Sequence, residues 1–253
     1  MTASDRPFEL DPETYDALVD WPKRLANEEP FFRRRFAEAA ARRVLDAACG
    51  TGRHAALFHS WGLEVEGADV EPAMSAHCRT KHGQSDALRW TTRSFSALPP
   101  DAGTFDAVVC VGNSLALVPD LAAVPRVFAA MLAALRTGGV CIVHVLNLWR
   151  LPSGPTTWQK CVRLKRGTDD VILIKGIHRV GDHGYIDFGE LRLGAASFAH
   201  SFHSATLLGL READLLAAAQ AAGGREARTW GTYQETPFDE SHSPDLILTC
   251  RRA

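Results

Sequence analysis

The chain has 253 residues, with 28 Lys and Arg against 30 Asp and Glu for a formal net charge of −2. That balance argues against a protein that holds nucleic acid mainly by charge. No apolar run reaches the roughly 18 residues needed to span a membrane. The length allows one full hydrophobic core with room for a subdomain, as a monomer or a homo-oligomer. Six cysteines (Cys49, Cys78, Cys110, Cys141, Cys161 and Cys250) are scattered without a C-x-x-C spacing, and Met1 to Asp11 is polar. Both features predict reduced packing thiols in a cytoplasmic protein with no signal peptide.

In chain order, Pro12 to about Ala41 reads as helical, with Pro22 and Pro30 breaking it into pieces. Strands are expected near 43–47, 64–69, 87–92, 105–111 and 139–146, separated by helices near 53–61, 72–82 and 120–136. A loop takes the helix's place between the third and fourth strands. Leu132–Gly139 reads as a helix end with a glycine stop before the fifth strand. Such alternation predicts an α/β fold with a parallel sheet and right-handed crossovers. From Trp158 to about Leu208 the rhythm changes to about four antiparallel strands, with Gly181-Asp182-His183-Gly184 as a hairpin loop. Arg211 to Ala222 is a helix stopped by Gly223-Gly224, and two closing strands follow near 225–230 and 245–251. The divisions are therefore 1–42 (helical), 43–150 (core), 151–209 (β insert) and 210–253 (completion of the core sheet).

The most informative segment is Arg43-Val44-Leu45-Asp46-Ala47-Ala48-Cys49-Gly50-Thr51-Gly52-Arg53-His54. It reads as a buried strand, a turn too tight for side chains and a helix start. A second acid, Asp69, closes the next strand about 20 residues later, the spacing of a ribose-binding carboxylate. Gly50 to Ala55 also fits the dinucleotide pattern G-x-G-x-x-G/A, so NAD competes as the ligand. Asp46 discriminates between them. A carboxylate there repels a pyrophosphate but attracts the ammonium and sulfonium of S-adenosylmethionine. An Asp that merely caps the turn stays open as an alternative.

Leu45 to Gly52 resembles motif I of class I S-adenosylmethionine-dependent methyltransferases, in the version of glycine/sarcosine and aminosugar N-methyltransferases. Gly67–Met74 is similar to their second motif and Phe105–Ser114 to their fourth. The resemblance covers about residues 40 to 147. It implies a Rossmann-like sheet of seven strands, the last antiparallel, with the β-rich insert after strand five capping the acceptor side. The implied cofactor is S-adenosylmethionine, with S-adenosylhomocysteine as product. Backbone at Ala48 and Gly50 would hold its amino-acid end, with Cys49 and Gly52 completing the turn. Asp69 would accept from both ribose hydroxyls, Val70 and Met74 would pack on the adenine, and Ser94, Phe95, Cys110 and Val111 would complete the pocket. Relatives carry an Asp where Ser94 stands; a hydroxyl accepts more weakly than a carboxylate. Tyr15 and Arg24 would form a lid, the arginine pairing with the cofactor carboxylate.

Methyl transfer from a sulfonium is an in-line displacement, so alignment supplies much of the rate. A neutral amine arrives with its lone pair ready, whereas a hydroxyl needs a base. The loop after strand four, Gly112-Asn113-Ser114, lacks the N-P-P-[YF] and Pro-Cys signatures of base-modifying enzymes. Asn113 is the candidate substrate ligand, His144 the candidate base or hydrogen-bond partner, and Tyr15 the third catalytic candidate. The Arg-Asn pair that the resemblance places after strand five is Leu146-Asn147 here, so a substrate carboxylate needs Arg150 or an arginine of the insert instead. Trp149, Trp158, Trp230 and Tyr233 could line an apolar pocket beneath the insert. Lys160, Arg163, Lys165 and Arg166 read as a solvated edge. His200 and His203 fall on opposite faces of a strand, so no metal site is expected. The leading function is methylation of a small-molecule amine. An O-methyltransferase with His144 as base and a non-catalytic S-adenosylmethionine-binding module are the alternatives.

Overall fold

The computed structural model describes residues 10–97, 103–194 and 197–253. Helix α1 (Pro12–Ala17) starts at Asp11, whose carboxylate accepts from the Glu13 and Thr14 amides. Helix α2 (Trp21–Glu38) starts at Asp20 and runs unbroken through Pro30. Here the proline reading is corrected. Pro22 lies in the first turn, where a missing N–H costs nothing. Pro30 loses a helix bond worth about 3 kcal/mol with its clash. The buried Phe31, Phe32 and Phe36 around it offset that at about 1.5–3 kcal/mol each.

Five parallel strands follow: β1 (Arg43–Asp46), β2 (Glu64–Asp69), β3 (Leu88–Thr92), β4 (Phe105–Cys110) and β5 (Leu135–Leu146). They alternate with α3 (Arg53–Ser60), α4 (Pro72–His82) and α5 (Val124–Ala134). The expected glycine stop does not end a helix; β5 already begins at Leu135 and contains the pair. The β4–β5 register shifts between Phe105 and Ala107 at that point. A Cβ on Gly139 would lie 2.9 Å from the Arg136 carbonyl and 3.0 Å from that of Asp106, so only glycine permits this close approach. Arg136 in turn binds Asp106 (2.5 Å).

Strands β6 (Thr157–Arg166), β7 (Asp169–Val180), β8 (His183–Leu193) and β9 (Phe198–Leu208) form a separate antiparallel meander. The β7–β8 turn is two residues, Gly181 and Asp182; His183 and Gly184 already pair in the strand. Strand β6 is an edge, which leaves Lys160, Arg163 and Lys165 exposed, whereas Arg166 is half-buried and pairs with Glu190. Helix α6 (Glu212–Ala221), β10 (Gly224–Trp230) and β11 (Asp245–Arg252) complete the main sheet, in the order β3-β2-β1-β4-β5-β11-β10. β11 runs antiparallel to both neighbours. A doubly wound dinucleotide fold has the order 3-2-1-4-5-6 with no reversed strand inserted. The main sheet is covered on both faces. One core contains α5, α6 and the inward residues of the second sheet (Leu173, Ile177, Phe188, Leu207). The other contains the aromatic residues of α2 and α3.

Candidate active site

The carboxyl ends of the parallel strands, α1, α2 and the inner face of β7–β9 enclose a cavity of about 390 Å³. Its lining brings together Tyr15, Arg24, Asp69, Val70, Met74, Asn113 and His144 from the residues that the sequence singles out. Tyr233 joins them. Lys175, Ile186, Phe188, Ala205 and Leu207 form the wall contributed by the insert.

On the core side the chain turns sharply after β1 because Gly50 and Gly52 take φ of +53° and +75°. A Cβ on Gly50 would meet nothing within 4 Å, so the crest of the turn is open. Gly52 instead makes room for Trp90 and Cys78. The Gly50 amide donates to Asp69 Oδ2 (2.8 Å) and the Glu71 amide to Asp69 Oδ1 (3.0 Å). Each oxygen thus has one fixed donor and spare lone pairs, the arrangement that can accept from two neighbouring hydroxyls. Burial raises the Asp69 pKa above the ordinary carboxylate value. The Ala48 carbonyl accepts no hydrogen bond among the described residues, so it is free to take an ammonium. The turn is tied to the N-terminal segment by Asp16, which accepts from Thr51 Oγ1 (2.7 Å) and Arg53 (2.8 Å) and pairs with Lys81.

Asp46 lies behind this turn rather than in the cavity wall. It is 1% exposed, and neither carboxylate oxygen has a partner of hydrogen-bond geometry among the described residues. The Ala55 and Ala48 amides nearby offset its charge only partly. Burial, reinforced by the negative Asp69, pushes its pKa up to about 7. An orphaned buried carboxylate beside an open glycine crest suits a ligand that brings positive charge and opposes a pyrophosphate. The residues therefore fit S-adenosylmethionine, with the Asp46 charge acting from one layer behind the turn.

Helix α2 contributes a buried ion-pair chain. Arg24 Nε donates to Glu28 Oε1 (2.9 Å), and Glu28 Oε2 meets His54 Nε2 (2.5 Å). Burial alone would raise the Glu28 carboxyl, but the His54 hydrogen bond and the Arg24 charge hold it down at about 2. Burial opposes the Arg24 charge too, yet Glu28 more than compensates and keeps its pKa above the ordinary value. Burial lowers the His54 pKa, so it meets Glu28 as a neutral donor. The Tyr15 and Tyr233 hydroxyls lie near Arg24, and burial raises both. The Tyr233 hydroxyl makes no bond of hydrogen-bond geometry to it or to any described residue.

The loop after β4 is shaped by Gly112 and Asn113, at φ of +80° and +77°. Asparagine tolerates this left-handed conformation better than most residues. Asn113 Oδ1 accepts from the Leu146 amide. Because that amide can only donate, the oxygen is placed there and the Asn113 NH₂ is left for the cavity. His144 Nδ1 accepts from the Gly112 amide (3.1 Å), and Nε2 faces Asp245 Oδ1 (3.1 Å). Both ring nitrogens are engaged, which removes the lone pair a general base would need. His144 holds the Gly112–Asn113 turn against β5 and β11.

Several expected residues lie elsewhere. Ser94 bonds the Ser96 hydroxyl (2.9 Å) and amide (3.2 Å) in a local turn, and Phe95 packs on the core. Neither lines the cavity; residues 98–102 beyond them lie outside the described residues. Cys49, Cys110 and Val111 are buried. The Cys49 amide is spent on the Ala68 carbonyl (3.0 Å). Burial, with Asp46 nearby, pushes the Cys110 thiol up to about 12, so it is no nucleophile. Of the four aromatic residues only Tyr233 lines the cavity. Trp149 is held outside by Arg211 over its ring and by the Leu210 carbonyl. Trp158 is 66% exposed, and Trp230 packs against the α2 side of the sheet. Asn147 donates to the Glu240 and Ser243 carbonyls (both 2.8 Å), a purely structural role, and Arg150 is exposed. Sequence reasoning missed Asp16, Glu28, Lys175 and Asp245. Only Glu28 carried a local signal, its i,i+4 spacing from Arg24. No cluster of metal-ligating side chains occurs among the described residues, and no helix there is long and apolar enough to cross a membrane.

Comparison with known proteins agrees with this geometry. Residues 44–139 match the model of a methyltransferase domain. The chain is similar to a glycine/sarcosine N-methyltransferase of Parasynechococcus marenigrum, with 28% identity over 238 residues that cover 93% of this chain and 80% of that protein. Its fold is similar to that of a sugar N-methyltransferase from a Streptoalloteichus species (24% identity, TM-score 0.77, 100% of this chain and 97% of that one). It is also similar to that of an S-adenosylmethionine-bound amino pentose methyltransferase from Micromonospora echinaspora (23% identity, TM-score 0.73, 98% of both chains). The glycine crest, the paired acids after β1 and β2, the reversed β11 and these matches together identify the chain as an S-adenosylmethionine-dependent methyltransferase of class I fold.

Proposed function

We propose that this enzyme methylates the nitrogen of a small-molecule amine. Bound S-adenosylmethionine supplies a sulfonium-borne methyl group that a neutral amine takes by in-line displacement without a base at the nitrogen. Asp69 would hold the ribose, the Ala48 carbonyl and the Asp46 field the ammonium of the amino-acid end, and Arg24 its carboxylate. Val70 and Met74 would flank the adenine. Tyr15 on α1 would close over the cofactor and keep water out, with Asp16 anchoring that helix to Thr51 and Arg53. The Asn113 NH₂ would orient the acceptor through one of its oxygens. The residues 1–42 then serve as a lid, 151–209 as the cap of the acceptor side, and 43–150 with 210–253 as the core.

The observation that carries nitrogen over oxygen is the double engagement of His144, by Gly112 and Asp245. A hydroxyl acceptor would need a base where this ring has no free lone pair. The relatives named above as acting on glycine, sarcosine and sugar amines support the same reading. The test is to incubate the full chain with methyl-labelled cofactor and paired amines and alcohols, then locate the label by mass spectrometry. Labelled secondary or tertiary amines are expected. A labelled ether or ester with untouched amines would overturn the proposal.

A further inference from the structure

Among the described residues the insert carries one cation into the cavity, and it has no counter-ion there. Lys175 lies at the middle of β7, where Lys160 pairs opposite it on β6 and Phe188 on β8. Among the described residues Lys175 forms no ion pair and no hydrogen bond. Its Nζ lies 5.7 Å from the centroid of the Phe188 ring. Ile186, Ala205 and Leu207 complete an apolar wall around it. The groups facing it are alike in sign: Arg24 from α2 and Lys160 from β6 both oppose its charge. Glu190, two positions from Phe188 on the same strand, is already committed to Arg166 and Arg192. The cavity's own carboxylates belong to the core and α2. Asp69 holds two backbone amides, Glu28 is bound by Arg24 and His54, and Asp245 faces His144. Glu71 also lines the cavity, beside Asp69 on the core side, and is not among the charges acting on Lys175. The end of β5 and the turn after it offer no cation either, since Leu146 is apolar, Asn147 is spent on backbone carbonyls and Arg150 is exposed outside the cavity.

A half-buried ammonium on an apolar wall is costly unless something brought to that wall compensates it. Arg24 is not the same device, because Glu28 pairs with it and it is already assigned to the cofactor carboxylate. We propose that the methyl acceptor carries, besides its reactive nitrogen, an anionic group (a carboxylate or a phosphate) that binds Lys175, making this lysine the specificity-determining residue of the insert. The inference rests on the N-methylation reading and deepens it. Burial lowers the Lys175 pKa to about 8, with Arg24 and Lys160 adding to the shift. The side chain is therefore still cationic at neutral pH, and an anion alongside would restore the missing partner.

The experiment uses the full chain saturated with S-adenosylhomocysteine, titrated calorimetrically with matched pairs that differ in one anionic group. Glycine against glycinamide probes a carboxylate, and glucosamine 6-phosphate against glucosamine probes a phosphate. The charged member of one pair is expected to bind at least 10-fold more tightly than its neutral partner. Lys175→Met should abolish that preference while leaving S-adenosylhomocysteine affinity unchanged, which also reports that the variant folds. Lys175→Arg should restore most of it, a rescue that a merely structural lysine would not show. Absence of any charged-over-neutral preference in both pairs overturns the proposal, as does a preference that survives Lys175→Met. Methylation of amines without regard to charge would remove only the role of Lys175. Label found on oxygen would remove the N-methylation reading itself.

Discussion

The two walls of the cavity are built on opposite terms. The wall formed by the core and α2 satisfies most of its charges before any ligand arrives. Asp69 is fixed by two amides, Arg24 by Glu28, Glu28 by His54, and His144 by Gly112 and Asp245. The wall formed by the insert is apolar apart from Lys175, which has no counter-ion among the described residues. A cofactor common to many enzymes can be met by a preorganised surface, whose polar groups need no reorganisation on binding. An acceptor particular to one enzyme is read instead by one uncompensated group on a smooth face. Asp46 is the exception on the core side, an unpartnered acid one layer behind the turn.

The comparison breaks most severely at Glu28. Glu28→Gln would leave the Arg24 guanidinium buried without its partner, and losing one member of a buried pair costs about 3–5 kcal/mol. Chemical denaturation should show this loss in the ligand-free protein. Since the folded Glu28 pKa is depressed to about 2, its contribution is present above the ordinary carboxylate pKa of 4.5 and disappears as pH falls through 2. The variant and the parent should therefore converge in stability toward that limit. A loss below about 0.5 kcal/mol at pH 7 would place Glu28 among ordinary surface pairs.

Asp69 tests whether the preorganised acid faces the ligand. Asp69→Ala should weaken S-adenosylmethionine binding by about 1–3 kcal/mol, the scale for hydrogen bonds to a charged group. Calorimetry would measure it, and an unchanged affinity would remove Asp69 from the site.

Asp46 sharpens the exception. Its folded pKa of about 7 lies above the ordinary aspartate value of 3.8. The folded chain therefore keeps a proton that the unfolded chain has lost, and stability falls as pH rises from about 4 to 7. Asp46→Asn escapes that loss. The ligand-free variant should match the parent at pH 4 and exceed it by a few kcal/mol at pH 8, the scale set by that shift. Its affinity for S-adenosylmethionine should fall at the same time. Equal stability at pH 8 would mean that the carboxylate has a partner in solution.

The core side was legible in the chain because its parts are neighbours in sequence. Asp46, Gly50 and Gly52 sit within one turn, and Asp69 closes the next strand, so local backbone rules place them. The meander was legible as strands, but which residues face the cavity depends on register. Lys175 closes an apolar run, Val171 to Ile174, and nothing local shows that it points inward with Phe188. Pro30 misled for a related reason. Its penalty is local, while the compensation from Phe32 packing on Phe58 and Tyr233 comes from distant segments. The Gly138-Gly139 pair was read as a helix stop because the pairing of β5 with β4, which sets Arg136 on Asp106, is likewise remote in sequence.

Ser94 gives the smallest expected effect and the finest test of the core wall. In the resemblance its position belongs to an adenine-binding acid, yet here the hydroxyl is turned to Ser96 and does not line the cavity. Ser94→Ala should therefore change stability by no more than about 0.5 kcal/mol, the range of a surface substitution away from special features. The preference for S-adenosylmethionine over its inosine analogue, which lacks the adenine amino group as a donor, should be the same in parent and variant. If the variant alone loses that discrimination, Ser94 turns toward the cofactor on binding, and the core wall is less preformed than its ligand-free hydrogen bonds imply.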